Sequence, residues 1–152
     1  MLALTALTLT HCADKSNSPS PTQNVEPTFS SLYTHVLSKN CVGCHEPQGS
    51  ATINANTTLN FTSLSLAYQT LTQGTSVGLA ANISAECSNV PLIVGGEPLS
   101  SYLLATLFID YFKTDFYKQG CTPHSPSAHG ATVNSNEKSA FVQWIQNGAL
   151  NN

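Results

Sequence analysis

Residues 29 to 45 run Phe29-Ser30-Ser31-Leu32-Tyr33-Thr34-His35-Val36-Leu37-Ser38-Lys39-Asn40-Cys41-Val42-Gly43-Cys44-His45, and their reading decides the fold. Phe29, Leu32, Tyr33, Val36 and Leu37 recur at the i, i+3, i+4, i+7 and i+8 spacing of an amphipathic helix, with Thr28 or Ser30 as its N-cap. The helix leads straight into Cys41-Val42-Gly43-Cys44-His45, the spacing by which a chain attaches one haem covalently. Each thiol reaches one vinyl group of a single porphyrin, and the next residue, His45, then lies under the iron as its proximal ligand. With five Cys and five His in 152 residues, a chance occurrence of that pattern has odds of about one in two hundred.

Two blander readings compete for the same residues. A structural zinc site would join Cys41 and Cys44 to Cys87 and Cys121, but those two lack the paired spacing of a second zinc knuckle. A thioredoxin-like dithiol needs a βαβ setting, and no alternating apolar run supplies the strands. The remaining cysteines fit a haem protein made in an oxidising compartment. Cys12 follows the apolar stretch Leu2 to Leu9, as the lipidated cysteine of a bacterial lipoprotein leader does, although no cation precedes the stretch and His11 replaces the usual small residue. The alternatives are a periplasmic chain without the lipid and an unprocessed N-terminus with a free Cys12. That leaves Cys87 and Cys121 as the expected disulfide, whose closure stabilises the fold by about 3 to 4 kcal/mol.

Composition narrows the class. At 41% apolar and 9% charged, this is a folded domain in which Ser, Thr and Asn carry the polarity. Five Lys, no Arg and eight acidic residues give a formal charge of −3, so nothing is set up to neutralise phosphates and nucleic acid is not an expected partner. No run approaches the roughly 18 apolar residues of a membrane span. Membrane attachment is therefore expected only through a lipid on Cys12.

Beyond the opening segment, 1–12, the Pro- and Ser-rich stretch 13–28 reads as a flexible tether, and 29–152 as the single domain. Leu64, Ala67, Tyr68 and Leu71, preceded by the apolar pair Leu59 and Phe61, predict a short second helix. Gly95-Gly96-Glu97-Pro98 marks a turn before a third helix that starts near Ser100 and carries Tyr102, Leu103 and Leu107. Asn134 with Glu137 predicts a capping box for the last helix, Phe141, Trp144 and Ile145 its apolar stripe, and Gly148 its left-handed stop. Trp144, Phe141 and Tyr102 are read as packing residues. The fold class is all-α, short helices and long loops around one large buried group.

From Phe29 to Ala149 the chain resembles the bacterial monohaem cytochrome c domains. The likeness rests on Tyr33 to His45, on Gly96-Glu97-Pro98 with Ser101-Tyr102-Leu103-Leu104, and on Trp144-Ile145-Gln146-Asn147-Gly148-Ala149, in that order. It implies a cytochrome c-like fold in which the first and last helices cross and the haem sits in the crevice. One departure bears on the chemistry: the family takes its sixth iron ligand from a Met before the last helix, and this chain has no Met beyond Met1. In that place stands Gly120-Cys121-Thr122-Pro123-His124-Ser125-Pro126-Ser127-Ala128-His129-Gly130. His129, flanked by small residues, or His124, stiffened by Pro123, is the expected distal ligand of a bis-His, low-spin iron, with His35 or no ligand from this chain as the alternatives.

The expected function is electron transfer by one covalent haem c, without enzyme activity, in a periplasmic or lipid-anchored bacterial protein that meets redox protein partners. Two other readings stand beside it. One is a gas- or peroxide-reactive haem with an open sixth position; the other is a haem-packing subunit of a larger redox assembly, formed by self-association or with other chains.

Overall fold

The apolar stripe that opens the domain becomes α1, continuous from Phe29 to Asn40 in three parts: an α-helical opening Phe29–Leu32, a π-helical turn Tyr33–Leu37, and a closing α-turn Ser38–Asn40. The computed structural model describes residues 24–49, 59–74, 90–108 and 132–152. Thr28 is the N-cap, its side chain accepting from Ser31 N–H at 3.3 Å. Two further donors of that helix end are met from the far end of the chain. Phe29 N–H donates to Asn152 Oδ1 at 3.0 Å and Ser30 N–H to the Asn152 carbonyl at 2.8 Å, so the first turn leaves few orphan groups.

Three more helices follow among the described residues. α2 spans Leu64–Gln73 behind Ser63, whose side chain accepts from Leu66 N–H. α3 spans Tyr102–Leu107, two residues later than Ser100, because a 3-10 turn, Pro98–Ser100, intervenes. α4 spans Ser135–Gln146 and opens with the expected capping box: Asn134 accepts from the Asn136 and Glu137 N–H groups while its own N–H donates to Glu137 Oε2 at 2.7 Å. Among the described residues there is no β-strand, and no helix is long and apolar enough to cross a membrane.

The helices meet around aromatic residues. Phe29 of α1 lies edge-on to Tyr68 of α2, with ring centroids 5.1 Å apart, and 5.2 Å from the Trp144 ring of α4. Leu32, Val36, Leu71, Leu104, Phe141 and Ile145 fill the space beside them, all nearly or wholly withdrawn from solvent, and each contributes about 1.5 to 3 kcal/mol by that burial. Trp144 and Tyr68 also satisfy their polar ends, as Nε1–H donates to the Leu150 carbonyl at 2.8 Å and the Tyr68 hydroxyl to the Ala149 carbonyl at 3.0 Å. Tyr102 is buried as well. Val25, just before α1, joins the same core.

α4 ends at Gly148, whose φ of +93° is the left-handed conformation that glycine adopts without steric cost. Its end is covered by the Gly95-Gly96 turn: Gly96 N–H donates to the Ile145 carbonyl at 2.7 Å, and a Cβ added to Gly95 would stand 2.7 Å from the Gly148 oxygen. Ser101, wholly buried, holds the turn's other side. Its Oγ accepts from Val94 N–H at 2.8 Å and donates to the Glu97 carbonyl at 3.0 Å.

Candidate functional site

α1 carries the chain to the motif and the motif continues its winding. In the π-turn Ser38 N–H reaches back five residues to the Tyr33 carbonyl; then Cys41 and Val42 N–H groups both donate to the Leu37 carbonyl, at 2.9 and 3.2 Å. The Cys41 carbonyl in turn accepts from Cys44 N–H at 3.3 Å and His45 N–H at 2.9 Å. One turn of this kind brings positions i, i+3 and i+4 to a common side. Cys41, Cys44 and His45 therefore share a side of the turn, each half-buried and both cysteines unbridged.

The segment after the motif doubles back tightly. Gly49 N–H donates to the Glu46 carbonyl at 2.9 Å, and a Cβ on Gly49 would stand only 2.3 Å from the Cys44 oxygen, so this return admits no larger residue. Gly43 is the opposite case: it is exposed and a Cβ there meets nothing within 4 Å. Burial and, after it, the neighbouring Cys44 push the Cys41 thiol up to about 12. At neutral pH it stays a protonated, uncharged thiol.

The sequence marked Phe61 only as an apolar residue ahead of α2. Phe61 in fact reaches the motif, its ring 5.3 Å from the His45 imidazole at an interplanar angle of 58°. Its N–H donates to the His45 carbonyl at 2.9 Å, and its carbonyl accepts from the Tyr33 hydroxyl at 3.2 Å. Tyr33 thus links the π-turn to the same point. The one advance signal was the bulk of Phe61 sixteen residues past the histidine, which no periodicity connects to it.

His35 lies in the π-turn, two residues from Tyr33 and so on nearly the opposite side of α1. Its Nδ1 is buried and without a hydrogen-bond partner. His124 and His129, the Cys87–Cys121 pair and Cys12 all fall outside the described residues. Among the described residues, no three of His, Cys, Asp and Glu converge on a point that could hold a metal ion. Compared with protein-family profiles, curated proteins and solved structures, the chain matches none of them.

Proposed function

We propose that the chain is a monohaem c-type cytochrome that transfers electrons, with haem c joined to Cys41 and Cys44 by thioether bonds and bound at its iron by His45. What carries the reading is the arrangement at the end of α1: two unbridged thiols and a histidine at positions i, i+3 and i+4 of a single turn. Two thiols three residues apart can reach the two vinyl groups of one porphyrin with the next residue under its iron, whereas a zinc site needs a second ligand pair, and Cys87 and Cys121 lack its spacing. In forming each thioether, sulfur bonds to one vinyl carbon and the thiol proton passes to the other, with no net oxidation.

The haem would supply a one-electron Fe(III)/Fe(II) couple. The chain's own part is to bind and to hold. His45 is anchored through its backbone to Cys41 on one side and to Phe61 on the other, and the aromatic core at the start of α1 keeps that helix, and with it the motif, in place. His129 or His124 is the proposed second ligand. An imidazole there in place of thioether favours Fe(III) and lowers the potential relative to a Met-ligated haem. Redox proteins of an exported compartment are the proposed partners, and the cytochrome c-like arrangement of the helices belongs to the same proposal. Its support is that α1 and α4 meet through Phe29 and Trp144.

Co-expression with a haem-attachment system tests the reading directly. The expected product is a red protein whose pigment stays with the polypeptide in acidified acetone. The Cys41→Ala and Cys44→Ala variants should each move the pyridine haemochrome band to longer wavelength, as one vinyl is left free. Pigment that extracts into the solvent, or none bound under those conditions, overturns it.

A further inference from the structure

Building on His45 as the iron ligand, we infer that Phe61 is its positioning residue: the Phe61 ring sets the rotation of the imidazole about its own side-chain axis, and with it the plane the imidazole presents. A histidine's χ2 torsion is broad and two-fold, so the local chain does not specify it. Something packed against the ring must.

Phe61 is placed to do so. It is 3% exposed, and its ring is 5.3 Å from the imidazole and tilted by 58°, so the energy of the pair depends on how the imidazole is turned, because aromatic contacts at this separation favour particular mutual angles. The phenyl itself is not free to yield, because the Phe61 backbone is held from two directions. Its N–H donates to the carbonyl of His45 itself, and its carbonyl accepts from the Tyr33 hydroxyl. The π-turn of α1, in which Tyr33 is the first residue, is thereby tied to the imidazole through one intermediary. Such turns recur where a helix is adjusted for a functional side chain.

The orientation of a ligating imidazole plane would lift the near-degeneracy of the two iron d orbitals that extend above and below a porphyrin and overlap the imidazole π system, so it would be read from the g-values of the ferric protein and from the spread of its haem-methyl NMR shifts. A residue with a purely structural role would leave both unchanged. In the holoprotein, Phe61→Leu should alter the order or spread of the methyl shifts and the g-anisotropy while far-UV circular dichroism and pigment content hold, and Phe61→Tyr should restore the wild-type pattern. In the haem-free chain, the His45 ring protons should be displaced by the phenyl ring current, and Phe61→Leu should abolish that displacement.

Wild-type methyl shifts and g-values in a folded Phe61→Leu holoprotein overturn the inference. Should Phe61→Leu fail to fold, Tyr33→Phe removes only the hydroxyl that holds the Phe61 carbonyl, and a smaller change in the same spectra is expected; spectra identical to wild type overturn the inference by that route. Absence of covalent pigment in the unaltered chain is a separate result, which overturns the haem reading and this inference with it.

Discussion

At its N-terminal end α1 is anchored: Phe29 is wholly buried between Tyr68 and Trp144, and Asn152 accepts from two of the helix's first N–H groups. At its C-terminal end the same helix widens into a π-turn and passes into Cys41–His45, where no residue is fully buried and Gly43 stands open. The difference separates two tasks. One end joins the helices through a shared aromatic core, and the other leaves side chains partly accessible.

The most damaging way to break that division is at the anchored end. Trp144→Ala removes the largest buried side chain together with its hydrogen bond to Leu150 and should cost about 3 to 5 kcal/mol in urea unfolding. A loss below about 1 kcal/mol would mean the aromatic cluster does not hold the fold. Gly95→Ala places a Cβ 2.7 Å from the Gly148 oxygen and should cost about 1 to 3 kcal/mol by the same measurement. Because the atom met is backbone, no side-chain rotation relieves it.

The open end should respond to pH instead. In the haem-free chain the Cys41 thiol is held at about 12, above its ordinary value of 9.0, so the folded state keeps a proton that the unfolded state releases. Its contribution is complete below pH 9 and drains away as pH rises toward 12. By pH 10 the urea midpoint should correspond to a loss of about 1 kcal/mol, absent in Cys41→Ala and absent once the thioether has formed. The smallest effect is expected of Gly43→Ala, which meets open space and should change stability by no more than about 0.5 kcal/mol. A large loss there would show that the exposed turn is under constraint, and the contrast with Gly95 would collapse.

Much of the helical framework was legible beforehand. The stripes of α1, α2 and α4, the Asn134 and Glu137 capping box and the left-handed Gly148 are all local patterns, and local patterns survive folding because they depend on residues within one or two turns. The start of α3 was misplaced by two residues, since Pro98 at the head of a 3-10 turn looks from the sequence like the approach to an ordinary helix. The π-turn was not legible either. Its five residues have the same apolar spacing an α-helix would have, and the widening shows in backbone bonds such as that from Ser38 N–H to the Tyr33 carbonyl.

By itself the sequence determined which residues the proposed haem would use, because thiol chemistry and the spacing of Cys41, Cys44 and His45 are properties of five consecutive residues. It also determined which faces of α1, α2 and α4 would be buried, because period and hydrophobicity do not depend on the partner; in α3 it marked Leu103 and Leu107, whereas Leu104 and Ala105 are the residues buried beside Tyr102. Only the tertiary structure decided which partner each face would meet: Phe61 against His45, Gly95 against Gly148, Asn152 over the start of α1. Those pairs are joined by packing and hydrogen bonds between segments far apart along the chain, and such contacts leave no period in the sequence from which to read them.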